Sequence, residues 1–184
     1  MAEMKAARTL PARTSAAGWR TLDPLSCWSL RVDLVSAAGP MTEAGLPIAV
    51  EACRAATRGA WSALWLGPDE QLLVGPDSAH TQLAPRLAAA LDGMPHSLVD
   101  VSHRQAAIEL TGPGATHLLA MGCPLDLDSN QVPVGFCSRT VYAKAEVVLW
   151  RQEAQRFQLQ AWRSFLPYVS GLLAIGSQEL APEP

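Results

Sequence analysis

Apolar and polar positions change their spacing along this chain of 184 residues, and the changes mark out its elements. In "CWSLRVDLV", Trp28, Leu30, Val32 and Leu34 alternate with Ser29, Arg31 and Asp33, the period of two that gives a strand one buried face. "SAAGPMTEAG" then breaks the pattern, and a short helix is expected from Ile48 to about Thr57. Two apolar runs in "WSALWLGPDEQLLVG" flank Gly67, Pro68, Asp69 and Glu70, which predicts a hairpin. Leu83, Leu87 and Leu91 recur at every fourth position, the stripe of a helix with Pro85 in its first turn and its end near Asp92 and Gly93.

The second half repeats this mixture. "SLVDV" and "AAIELT" predict strands, the latter with Ala106, Ile108 and Leu110 on one face. A helix is expected next, with Thr111 or Gly112 as cap, Pro113 at the first position, Leu118 and Leu119 inward, and Gly122 at the end. "DLDSNQVPVGF" reads as a loop. From Arg139 to Arg151 the alternation predicts one long strand, with Val141, Ala143, Ala145, Val147 and Leu149 on one side and Thr140, Tyr142, Lys144 and Glu146 on the other. After a turn at residues 152–155, "RFQLQAW" returns with Phe157, Leu159 and Ala161 inward. Ser164 is expected to cap a final helix carrying Phe165, Val169, Leu172 and Leu173, ended by Gly176. Interspersed strands and helices with two hairpins, and no regular βαβ repeat, predict an α+β fold in which helices cover a mainly antiparallel sheet. Residues 1–26 are expected as a tail or arm, 27–176 as one domain and 177–184 as a C-terminal tail.

Composition narrows the function classes. Hydrophobic residues make up 49% of the chain and charged ones 17%, so part of a low-charge surface is expected to be covered by another chain. A net charge of −3 provides no basic face for nucleic acid. No apolar stretch approaches the ~20 residues that cross a bilayer, and "MAEMKAARTLPARTSAAGWR" has no secretory apolar core, so no membrane partner is expected and a cytoplasmic location is. Cys27, Cys53, Cys123 and Cys137 form no CxxC pair and share no ligand spacing with His80, His96, His103 or His117. Reduced thiols and no metal site follow.

The segment from Leu98 to Leu127 concentrates the candidate chemistry. "TGPGA" between a strand and a helix would suit an anion, but a dinucleotide fingerprint needs glycine where His117 stands, and Pro113 removes an amide. Asp100, Ser102 and His103 have the residue types of a catalytic triad. Ser102 and His103 are adjacent, however, and in an extended chain their side chains leave opposite faces. Asp100 and Ser102 are therefore read as turn formers, and His103 and Arg104 as surface or interface groups. Trp61, Trp65, Trp150 and Trp162 are read as core or subunit-packing residues, and Lys144 and Glu146 as a solvated pair on the polar face of a strand. No convergent set of acid, base and nucleophile emerges, so no catalytic, cofactor-binding or metal-binding residue is expected.

"VDVSHRQAAIELTGPGATHLLA" resembles the aminomethyltransferase superfamily, typified by the T-protein of the glycine cleavage system, at Asp100, Ser102, His103, Gly112 and Pro113. The blocks "ALWLGPDEQLLV", "LVDVSHRQ", "GCPLDL", "CSRTVYAKAEVVLWR" and "WRSFLPYVSGLL", in that order, are similar to the gamma-subunit family of heterotetrameric sarcosine oxidase, from about Trp61 to Leu173. The resemblance implies a noncatalytic subunit with the fold of the T-protein folate-binding domain. It implies a complex that oxidatively demethylates sarcosine to glycine, forms hydrogen peroxide and, with tetrahydrofolate, yields 5,10-methylenetetrahydrofolate. It further implies alpha, beta and delta partner subunits that hold NAD, FAD, FMN, zinc and tetrahydrofolate, with none of these in this chain. Catalytic T-proteins carry an N-x-x-G-G-x-x-D-D run whose acid lies near folate; "CSRTVYAKAEVVLW" has no aspartate there. The alternatives are the equivalent subunit of a related N-methyl amino acid demethylase and a free-standing folate-binding or aminomethyltransferase-like module. Either way, an apolar surface near Trp65 or Trp150 is expected to be covered only in a complex.

Overall fold

The computed structural model describes residues 17–180. Within them the chain runs β1 (Gly18–Thr21), β2 (Leu25–Val32), α1 (Leu34–Glu43), β3 (Ala55–Arg58), β4 (Trp61–Gly67), β5 (Glu70–Pro76) and α2 (His80–Ala90). It continues with β6 (His96–Asp100), β7 (Gln105–Thr111), α3 (Ala115–Ala120), β8 (Cys137–Tyr142), β9 (Ala145–Glu153), β10 (Arg156–Trp162) and α4 (Leu166–Leu180). The strands form two five-stranded antiparallel sheets, ordered β3-β4-β5-β2-β6 and β8-β9-β10-β7-β1.

Written in this way, the two sheets are copies of one plan. The run β1-β2-α1-β3-β4-β5-α2 has the same order of elements as β6-β7-α3-β8-β9-β10-α4. The leading strand of each run pairs in the other run's sheet: β1 with β7, and β6 with β2. Neither half closes its own sheet. The interior has three apolar layers. Leu30, Ala63 and Leu73 of the first sheet pack under α1 and α2, with Leu83 and Leu87. Ile108, Leu149 and Leu159 of the second pack under α3 and α4, with Leu118 and Leu173. Cys27, Leu64, Leu72, Cys137 and Val148 lie between the sheets. The α+β class with helices on antiparallel sheet is thus observed, in the order helices, sheet, sheet, helices.

Several local expectations are corrected. The strand expected through Leu34 stops at Val32, because Asp33 caps α1: its Oδ1 accepts from the N–H groups of Val35 and Ser36 at 3.0 and 3.1 Å. Leu34, Ala37 and Met41 then supply a helical stripe through the expected break, with Pro40 inside the helix. No helix forms over 48–57; that stretch runs irregularly into β3, held by the buried Gln71, whose Oε1 accepts from the Ala49 N–H at 3.0 Å. The helix under Leu83 begins at His80, so Pro85 sits beyond its first turn. Gly112, at φ +93°, turns the chain ahead of α3, which starts at Ala115 with Gly114 as cap; Pro113 belongs to that turn.

The single strand expected from Arg139 to Arg151 is a hairpin turning at Ala143 and Lys144, with Ala143 at φ +51°. The reversal exchanges the faces of its first arm, so Tyr142 is buried and Val141 exposed, and Lys144 leaves the strand. Ser164 lies inside a short 3-10 turn (Arg163–Phe165), not at a cap. Gly176 does not end α4, which runs to Leu180; a Cβ there would stand 2.7 Å from Leu118 Cδ1 and Met121 Sδ, so glycine lets α4 approach α3. Residues 18–21, expected within an arm, form β1; the rest of the arm to residue 16 and the tail at 181–184 lie outside the described residues.

Gly75 faces Trp61 so closely that an added Cβ would lie 2.6 Å from the indole ring. Gly75→Ala is expected to lower stability by roughly 1–3 kcal/mol through forced repacking of a rigid ring, read as a lower denaturant midpoint with unchanged slope.

Candidate functional site

The Asp100–Ser102 segment forms a closed turn where β6 passes into β7. The Ser102 N–H and hydroxyl both donate to Asp100 Oδ1, at 2.9 and 2.6 Å, while Ser102 Oγ accepts from the Cys27 N–H at 2.9 Å. Burial opposes ionisation of Asp100, but the two hydrogen bonds from Ser102, helped by the neighbouring imidazoles of His80 and His103, hold its carboxyl below the usual carboxylate range. His103 and Arg104 are exposed, as expected for surface or interface groups.

A histidine that the sequence did not connect to this turn completes a triad-like chain. Ser26 Oγ and His80 Nδ1 are 2.8 Å apart, and His80 Nε2 lies 3.4 Å from Asp100 Oδ2. The Trp28 indole donates to Ser26 Oγ at 3.0 Å and stacks on the imidazole, with ring centroids 5.0 Å apart. With one hydrogen and a second lone pair left after accepting from the indole, Ser26 Oγ can donate to Nδ1 or accept from it, the direction following the imidazole tautomer. The order is that of a hydrolase triad, but Ser26 is fully buried, so an acyl carbon could not reach its Oγ without opening the sheet. The chain pins β6 to β2 and to the start of α2. Residues 26, 80 and 100 come from three elements, and no local spacing links them.

A second cluster joins the two sheets. The buried Glu70 carboxylate accepts from Arg31 Nη2 at 2.7 Å, within its own sheet, and from Arg139 Nη2 at 2.6 Å, across the gap. The bond from Arg139, assisted by the charge of Arg31, holds the Glu70 carboxyl below its ordinary value. Glu146, expected as half of a solvated pair with Lys144, instead reaches Arg139 at 3.8 Å. These residues border a groove of about 390 Å³ at one end of the inter-sheet layer. Deeper in, Gln160 is 2% exposed, and neither of its amide atoms, nor Gln105 Oε1, has a partner among the described residues. Among the described residues, no group of three or more His, Cys, Asp or Glu side chains is placed to hold a metal. Cys27 and Cys137 lie between the sheets, where burial pushes both thiols up to about 12.

The tryptophans divide. Trp61 is buried and Trp65 and Trp150 are partly buried, whereas Trp162 is 44% exposed, with the Arg104 guanidinium 5.4 Å from its ring centre. The core reading fails for Trp162 because it is the last residue of β10 and faces out of the inter-sheet layer into the groove.

Two intertwined antiparallel sheets with a helix pair on each outer face define a T-protein-like fold. The glycine cleavage aminomethyltransferase T of Bartonella henselae shares it, with a TM-score of 0.65 at 13% identity over 92% of this chain and 48% of that one. The chain belongs to the sarcosine oxidase gamma subunit family, which it matches over residues 32–179. It is 35% identical to a sarcosine oxidase subunit gamma of Corynebacterium sp. (strain P-1) over 76% of this chain and 68% of that one. It is 39% identical to one from an Arthrobacter species over 60% and 53%. A chain of the heterotetrameric sarcosine oxidase of Corynebacterium sp. U-96 superposes with a TM-score of 0.82 at 25% identity, covering 94% of this chain and 91% of that one.

Two outcomes are expected. Ser102→Ala in the assembled oxidase leaves turnover within a few-fold of the parent, since loss of a nucleophile would cost several orders of magnitude. Because the Glu70 carboxyl titrates below its ordinary value of 4.5, its contribution to stability is present above that pH and is lost as pH falls through the lowered native value. Thermal melts between neutral pH and pH 3 should therefore show a shallower acid-side decline for Glu70→Gln than for the parent.

Proposed function

We propose that this chain is the noncatalytic, assembly-supporting gamma subunit of a heterotetrameric sarcosine oxidase. Its complex oxidatively demethylates sarcosine to glycine, passing the electrons to oxygen to give hydrogen peroxide and, with tetrahydrofolate, the methyl carbon to 5,10-methylenetetrahydrofolate. Alpha, beta and delta subunits are its partners, and NAD, FAD, FMN, zinc and tetrahydrofolate belong to them. A cytoplasmic location goes with this reading and is supported by four cysteines that stand as free thiols.

The observation that carries the noncatalytic role is the state of the candidate chemistry. Asp100 and Ser102 are spent on a turn, the triad-like Ser26 is sealed under the sheet, and Glu146 of the T-protein-like hairpin is paired with Arg139. Asp100, Ser102, Ser26, His80 and Glu70 are each engaged in hydrogen bonds or ion pairs that hold elements together.

The purified chain alone is expected to be colourless and to give no micromolar heat of binding with tetrahydrofolate in titration calorimetry. Added to flavin-bearing partner subunits, the same chain should restore a stable complex. Micromolar binding of flavin or tetrahydrofolate by the lone chain would reassign it as a cofactor-binding module.

A further inference from the structure

We propose that the outer edge of β6, together with Trp162, Arg104 and Arg163 beside it, is the docking site for an extended, carboxylate-bearing segment of a partner subunit; this rests on the assembly role above. β6 is the last strand of its sheet and pairs only with β2 among the described residues, so one row of its backbone N–H and C=O groups is open. Its five residues, "HSLVD", contain no lysine or proline, two of the usual means by which edge strands discourage pairing. The corresponding edge of the other sheet, β1, carries Arg20 already tied to Glu109 at 2.9 Å.

The side chains around the open edge select the occupant. Val99 of β6 is 51% exposed and borders the same groove as Trp162, giving two apolar contacts where a docked strand would lay alternate side chains. Arg31 pairs with Glu70 and Asp69, and Arg139 with Glu70 and Glu146, whereas Arg104 and Arg163 form no ion pair with a carboxylate among the described residues. The Arg163 N–H donates to the Arg104 carbonyl at 2.8 Å, which keeps the main chains of these two exposed residues side by side. On a chain of net charge −3, the exposed Arg104 over the Trp162 ring, with the exposed Arg163 next to it, favours an acidic segment over a basic one. Tryptophan and arginine are also the residue types that dominate binding energy at subunit interfaces.

The test is co-expression with the large subunits of the oxidase, followed by affinity purification through this chain. Trp162→Ser and the double variant Arg104→Glu/Arg163→Glu are each expected to weaken retention of the large subunits about tenfold or more, with the double variant recovering partly in high salt. Val35→Lys, on the exposed side of α1, should retain them as the parent does. Because Trp162 ends a paired strand, its loss counts only with an unchanged circular dichroism spectrum; the arginine variant, at exposed side chains, carries the test independently. Hydrogen exchange should show the β6 amides slowed in the complex relative to the free chain. Parent-like retention by both variants, with β6 exchange unaltered, overturns the docking site while leaving the assembly role standing. A free chain that dimerises through this face, and becomes monomeric with Trp162→Ser, overturns it in favour of a second copy. A parent chain that retains no large subunit overturns the assembly role and the docking site with it.

Discussion

Strand exchange is the constraint on which the rest of this molecule depends. β1 completes the sheet made by the second half and β6 completes the sheet made by the first, so each half contributes an edge strand to the other before its own helices have a finished surface to cover. The pairing of Arg20 with Glu109 spans 89 residues, and contacts this distant in sequence bring loop-closure entropy that only the completed sheets offset. Two sheets tied in this way cannot part without breaking strand pairing in both. The result is one cooperative body built from two similar runs of chain.

Polar residues on both faces of the first sheet make sense against that background. The Ser26, His80 and Asp100 chain fastens the exchanged strand β6 to β2 and α2, and Glu70 bridges Arg31 and Arg139 across the gap. Residues whose types suggest catalysis are thereby committed to fixing the relative placement of strands. A rigid body with its reactive groups internally satisfied, and an exposed aromatic and cationic corner at one edge, suits a subunit that contributes contact surface. Membership of the gamma subunit family agrees with this division of labour between geometry and chemistry.

Much of the fold was legible because burial imposes a period. The alternations in β2, β7 and β10, the leucine stripe of α2 and the hairpin at Gly67–Glu70 follow from one buried face per element. The lapses share a cause. At Asp33 a helix cap was masked by a strand alternation that continues through Leu34, and at Ala143 and Lys144 a turn formed without glycine, asparagine or proline to announce it. The candidate site was legible in part: the Asp100 and Ser102 turn was read from two residues two positions apart, whereas its link to His80 and Ser26 has no sequence signature.

By itself, then, the sequence determined most of the strands and helices, the α+β class, the turn at Asp100 and, through the order of its blocks, the family. Those are properties of neighbours along the chain, where side-chain period and capping act over a few residues. Only the tertiary structure decided that the sheet is two sheets, that β1 and β6 change places, that Ser26 is sealed and that Trp162 is left outside. These depend on pairing between residues 47 to 89 positions apart, such as Glu109 with Arg156 at 2.6 Å, Ser26 with His80 and Arg20 with Glu109. Register at that range is selected by the whole set of buried faces and edge hydrogen bonds acting together, and no single segment carries that information.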